Sequence, residues 1–188
     1  MTDTIPVRRL RPVAAACVIA LSAGAGASSA HAACSGADAT PSAANAAKVR
    51  KATLCLLNRQ RRAHGLSALR ENGRLRSAAA SYSRLMVKLG FFDHTSPTGS
   101  TMQSRITATH YLDGARSWSL GENIAYGTGP YGTPRSIVRG WMHSPGHRAN
   151  ILNGTFRDIG IGIATGAPIP HGAGASGGTY TTDFGYRG

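Results

Sequence analysis

Apolar residues recur at helical spacing in the first half of the chain and at alternating spacing in the second. Between residues 43 and 64, Val49, Ala52, Leu56 and Leu57 share one face, which Leu54 and Cys55 widen. Gly65 followed by Leu66 is a stop signal. Residues 72–89 repeat the design. Leu75, Ala79, Tyr82 and Met86 line a face, Asn72 is placed to cap, and Gly90-Phe91 ends it. Ser100 and Gln103 have capping-box spacing, which predicts a short helix over 101–108. Residues 120–126 read as a strand entered through Gly121. Thr133-Pro134 opens another helix, with Ile137, Val138, Trp141 and Met142 on its apolar face, and Ser144-Pro145-Gly146 breaks it. Ile159, Ile161 and Ile163 alternate with Gly160 and Gly162, a strand whose glycines predict a close approach by another segment. Residues 166–178 read as a mobile hairpin loop. The closing strand is 179–186, with Tyr180, Thr182, Phe184 and Tyr186 on one face. Helices first and strands later imply an α+β fold with a small antiparallel sheet.

The N-terminus belongs to a different class of segment. Arg8, Arg9 and Arg11 precede an apolar stretch, and Ala30-His31-Ala32 fits a small-x-small cleavage site. Residues 1–32 are therefore expected to be a signal peptide, with 33–47 a tail leading into the first helix and 48–188 the folded domain. Beyond the signal no run is long and apolar enough to span a membrane. Export means an extracellular or periplasmic, oxidising compartment. Of three cysteines only Cys34 and Cys55 lie outside the signal, so they are expected to pair and tie the tail to the first helix.

Charge sharpens the picture. Residues 33–188 carry 18 basic and 7 acidic side chains, net +11. Lys48, Arg50, Lys51, Arg59, Arg61, Arg62, Arg70, Arg74, Arg76 and Arg84 are expected on the outer faces of the first two helices. Such a domain is drawn to anionic cell-wall polymers or lipid surfaces. Nucleic acid is not an expected partner, because the chain reads as exported and has no nucleic-acid motif.

Chemistry concentrates in few residues. Only Glu71 and Glu122 are glutamates, and Glu71, beside Arg70, reads as a helix-start or surface charge. Glu122 lies inside the apolar segment Leu120-Gly121-Glu122-Asn123-Ile124-Ala125, where a carboxylate needs hydrogen-bond donors or a cation. His94 follows Phe91-Phe92, and His147 follows Ser144-Pro145-Gly146. Asn58-Arg59 with Gly65-Leu66, His94-Thr95-Ser96-Pro97, Gly121-Glu122-Asn123-Ile124-Ala125, Trp141 with 144–152, Phe156 with Gly160-Ile161-Gly162, and 180–185 occur in one order. Together they resemble the CAP superfamily (SCP-like domain) in its short bacterial form, over roughly residues 49–186. The resemblance implies an α-β-α sandwich, an exported protein, and a polar cleft holding His94, Glu122 and His147. It also implies divalent-metal binding in that cleft, sterol or lipid binding elsewhere in some members, and protease activity suggested for others. The chain departs from the larger relatives at Ser144, where they carry a second cleft glutamate, and in lacking their extra cysteine pairs. His143, beside that position, is a candidate replacement.

Two histidines and a glutamate are the ligand types of a zinc site with an open position. His94, His147 and Glu122 are thus candidate ligands for zinc or another divalent metal. The helical His-Glu-x-x-His spacing is absent, so a hydrogen-bonded His–Glu–His network is the competing reading. The alternative function is a metal-assisted peptidase or esterase with Glu122 as general base. Ser96 and Ser144 lie near the two histidines in sequence, which is weak ground for a serine hydrolase. His64 suits a helix end, and His110 and His171 read as loop residues.

Overall fold

The computed structural model describes residues 34–168 and 176–188. The chain forms α1 (Ala46–Ala63), β1 (Arg70–Glu71), α2 (Gly73–Leu89), α3 (Met102–Thr107), β2 (Trp118–Thr128), α4 (Pro134–His143), α5 (Pro145–Ile151), β3 (Asp158–Thr165) and β4 (Gly177–Arg187). The four strands make one sheet in the order β1-β3-β4-β2. β2 and β3 both pair antiparallel with β4, and the two-residue β1 adds in parallel to β3. Helices α1, α4 and α5 pack on one face and α2 on the other, giving the expected three-layer sandwich.

Alternation along the strands decides which face each side chain meets. Ile159, Ile161, Tyr180 and Phe184 join Leu57, Trp141 and Phe156 in the core under α1, α4 and α5. On the opposite face α2 lies almost on the sheet backbone. A methyl group at Gly160 would overlap Leu75 and Arg76 main-chain atoms, and one at Gly162 would overlap Ala79 and Ala80. The Ile-Gly alternation therefore marks a helix seated on a strand with no side chain between them. Asn72 caps α2 by accepting from Arg74 N and Leu75 N, and Gly90 ends it with φ 68°. Both follow from local chemistry, since the left-handed turn suits glycine.

Several sequence expectations are corrected. Ser144-Pro145-Gly146 does not simply end a helix, because Pro145 opens α5, a first-turn position that needs no N–H. The α3 cap is Thr101, whose hydroxyl accepts from Ser104 N at 3.2 Å, rather than Ser100. Glu71 is an exposed surface charge, one of its two expected roles, but it lies in β1 rather than at a helix start, paired with Arg50 at 2.6 Å. Arg61 is not on an outer face; it is fully buried. The segment after Cys34 is no loose tail. Cys34 and Ala37 are buried, and Arg135 holds Asp38 through two hydrogen bonds of 2.7 and 2.8 Å. The expected Cys34–Cys55 disulfide is formed, with Cα atoms 5.7 Å apart. Closing its loop is worth about 3 kcal/mol in the chain-entropy picture. The signal-peptide reading, and most of the predicted hairpin loop with His171, lie outside the described residues. No helix among the described residues is long and apolar enough to cross a membrane.

Candidate functional site

The site forms at the β2 edge of the sheet. After Gly90 the chain is pinned by aromatic contacts: Phe91 against Tyr82 (centroids 6.0 Å apart) and Phe92 against Tyr126 (4.9 Å). Tyr82 OH also donates to the Asp93 carbonyl at 2.6 Å. This fixed loop delivers His94 to Glu122, and Nδ1 lies 2.8 Å from Oε1. The other carboxylate oxygen takes a 2.6 Å hydrogen bond from Arg105 Nη2. Arg105 comes from α3, bonds the carbonyls of His94 (3.2 Å) and Ser100 (2.9 Å), and stacks 3.3 Å over the Tyr82 ring. The Glu122 side chain is 2% exposed and that of His94 53%. The glutamate is thus a buried anchor and the histidine a half-open surface group. With Nδ1 committed to the carboxylate, Nε2 is the ring nitrogen left for a ligand.

His147 is carried by α5, which is tied to β2 by side-chain hydrogen bonds. Asn150 donates to the Glu122 carbonyl (3.1 Å) and to Asn123 Oδ1 (2.9 Å), and Asn123 donates to the His147 carbonyl (3.1 Å). Trp141 Nε1 donates to the Ile124 carbonyl at 3.2 Å. Side chains of α4 and α5 therefore satisfy the outer carbonyls of an edge strand while holding His147 in place. The His147 ring lies 6.5 Å from that of Trp141.

The two imidazoles titrate in opposite directions from the ordinary value. The hydrogen bond that His94 donates to Glu122 raises His94. Burial, and then the charge of His94 nearby, lower His147. Stability from the His94–Glu122 pair is complete below pH 6.5 and is lost as pH rises through the folded His94 value. His94 is too exposed for this to weigh much. His147 works the other way: its neutral form is favoured by folding, so protonation costs stability as pH falls below 6.5.

A second carboxyl, not singled out in the sequence, lies under Glu122. Asp183 of β4 is the register partner of Glu122 in β2 and is 1% exposed. Neither of its oxygens has a hydrogen-bond donor among the described residues. Burial first, and Glu122 beside it second, push its pKa well above the ordinary carboxylate value, so folding favours its neutral form. Its proton is the one group that can bridge two adjacent carboxyls.

The other candidates are placed elsewhere. His143 is exposed on α4 with Nδ1 2.7 Å from the Arg139 carbonyl, so it does not replace the missing cleft glutamate. Ser144 is the residue between α4 and α5. Ser96 holds its own turn through Thr98 and Ser100. His64 bonds the Gln60 carbonyl and His110 the Asp113 carboxylate. Among the described residues no three or more His, Cys, Asp or Glu side chains are arranged to hold a metal ion.

Comparisons with known proteins follow the same outline. The cysteine-rich secretory protein (CAP) family matches residues 54–171. The Bacillus subtilis protein YkwD is 36% identical over 114 residues, 61% of this chain and 42% of its own length. The B. subtilis membrane protein YlbC is 32% identical over 113 residues, 60% of this chain and 31% of its own. The chain thus spans less than half the length of these curated relatives. An extracellular SCP-domain protein of Bacillus anthracis superposes with TM-score 0.54 at 26% identity, covering 75% of this chain and 40% of the other. An outer surface protein of Borrelia burgdorferi shares the fold, with TM-score 0.54 at 20% identity over 70% of this chain and 87% of the other. Family match and sandwich agree: the chain belongs to the CAP family.

Proposed function

We propose that this is an exported CAP-domain protein whose cleft binds a divalent metal ion through His94 Nε2 and the His147 ring. The observation that carries the reading is the 2.8 Å His94–Glu122 hydrogen bond, with Arg105 on the far oxygen of Glu122. A carboxylate behind a ligating histidine fixes its tautomer and makes it a better donor, the usual arrangement behind metal-bound histidines. Glu122 is then the support of His94 rather than a ligand. The hydrolase reading is less favoured, because the Glu122 side chain is 2% exposed and sits behind His94 and Arg105, which leaves it little access to a substrate water. Zinc titration by calorimetry tests the proposal. Saturable binding should weaken at least about ten-fold in His94→Ala and in His147→Ala and stay unchanged in His143→Ala. The absence of saturable heat, or equal affinity in His94→Ala, would overturn it.

Export is supported by the basic and apolar N-terminus and by the Cys34–Cys55 disulfide. The net positive charge is expected to hold the protein at anionic wall or lipid surfaces. Retention on purified cell wall should then fall steeply as salt rises, and salt-insensitive retention would contradict this.

A further inference from the structure

The metal cleft uses the β2 edge of the sheet. The opposite edge is only partly covered. β1 pairs with β3 at Asp158 and Ile159 alone, and the Asn72 N–H donates to the Ile159 carbonyl at 2.9 Å. Because the main chain of a strand alternates sides, Ile161 and Ile163 turn their N–H and C=O to the same outer side. No described residue hydrogen-bonds those groups. Ile163 is part-exposed and Thr165 exposed, whereas Ile161 is 1% exposed, so access is from the Thr165 end.

This stretch of β3 is the floor of a groove of about 490 Å³ between α1 and α2. Arg50 stands on the α1 wall, and Arg76, Ala80 and Arg84 on the α2 wall. α2 runs alongside β3 in the same direction, since Gly160 meets Leu75-Arg76 and Gly162 meets Ala79-Ala80. Four helix residues rise about 6 Å and two strand residues about 6.6 Å, so helix and strand keep step. Arg76 and Arg84 therefore stand opposite positions four residues apart on any strand added to this edge. The groove is under-neutralised. Glu71 pairs with Arg50 at 2.6 Å and reaches Arg76 only at 3.8 Å. The side-chain partner of Arg84 is an uncharged hydroxyl, Ser81 Oγ at 3.1 Å.

We infer that the free edge of β3 receives an extended acidic peptide of a partner protein as a fifth strand, its carboxylates at i and i+4 meeting Arg76 and Arg84. Strand addition supplies the affinity and the arginines supply the selection. A phosphate polymer or anionic lipid meets the arginines but has no donors for the outward carbonyls of Ile161 and Ile163. A peptide offers donors and acceptors at the strand spacing. The occupant is not this chain or a second copy, because no two of its eight acidic residues are four apart.

The test titrates a fluorescein-labelled, end-blocked Glu-Thr-Val-Thr-Glu peptide against the protein by anisotropy, with hydrogen exchange of the Ile163 amide followed by NMR. Binding is expected with slowed exchange at Ile163. It should weaken at least ten-fold in the Arg76→Glu, Arg84→Glu double variant and when the strand-facing peptide amides are N-methylated, and remain unchanged in His94→Ala. Both arginines are helix-surface residues, so circular dichroism should show the double variant folded. If the N-methylated peptide binds as well as the parent, or if inorganic polyphosphate protects Ile163 equally, the groove is a plain anion site and strand addition is wrong. If no binding is seen, the inference fails outright.

Discussion

Replacing Arg61 by Met is expected to cost about 3–5 kcal/mol, since several buried carbonyls lose their donor at about 1–3 kcal/mol each. That corresponds to a fall of roughly 10–15 °C in melting temperature for a domain of this size. Arg61 is fully buried, and no carboxylate among the described residues pairs with it. Its guanidinium instead donates to the carbonyls of Ser67 (2.8 Å), Ile151 (2.8 Å), Asn153 (2.9 Å) and Phe156 (3.4 Å). One side chain thus joins the last turn of α1 to the loop before β1, the end of α5 and the approach to β3. Burial lowers its pKa, but a guanidinium starts so high that it stays charged. A methionine fills similar volume and leaves the four carbonyls with no donor. Lysine should recover less than half, since a single ammonium cannot copy the fork. Arg62→Ala, at an exposed neighbour, should stay within about 0.5 kcal/mol. Urea unfolding reads all three. A loss below 1 kcal/mol for Arg61→Met would show that water replaces the guanidinium at those carbonyls. Because Ile151 closes the helix that carries His147, the same variant should also loosen the cleft.

What the sequence makes legible is whatever is decided locally or by period. Asn72 and Gly90 bound α2 through chemistry within one turn, and the Ile159, Ile161, Ile163 alternation marks a strand wherever it folds. The long-range features are different in kind. Arg61 is one of 18 arginines, and nothing in its neighbours distinguishes a buried fork from a solvated one. Arg105 is hidden in the same way. β1 is two residues long and has no period. Pro145 reads equally as the stop of one helix and the first turn of the next. The family resemblance names His94, Glu122 and His147, and the structure joins the first two by a hydrogen bond. Their division of labour was not legible, because it depends on which oxygen of Glu122 meets Arg105. Asp183 was invisible for a geometric reason. Tyr180, Thr182 and Phe184 advertise one face of β4, and a polar residue between them looks solvent-facing until α2 is known to cover that side.

The pair Glu122 and Asp183 should therefore respond to neutralisation in opposite ways, although the two carboxyls are adjacent. Glu122→Gln removes the partner of Arg105, which is 9% exposed over the Tyr82 ring, and leaves a nearly buried cation unpaired. A loss of about 3–5 kcal/mol is expected. His94, whose raised value comes first from its hydrogen bond to Glu122, should then titrate lower by NMR. Asp183→Asn replaces a carboxyl whose neutral form folding favours by an amide that can still donate toward Glu122. Here the sign is reversed from the usual carboxylate. Folding raises the Asp183 value, so between about pH 3.9 and that value the folded chain holds more protons than the unfolded one. Wild-type stability falls with rising pH across this window. Asparagine removes that dependence, so the variant should be more stable than wild type at pH 7 and equal to it below about pH 4, with the His94 titration unmoved. Paired unfolding curves at the two pH values decide the matter. If Asp183→Asn is as damaging as Glu122→Gln at pH 7, Asp183 carries charge in the folded state, and Arg105 serves both carboxylates rather than one.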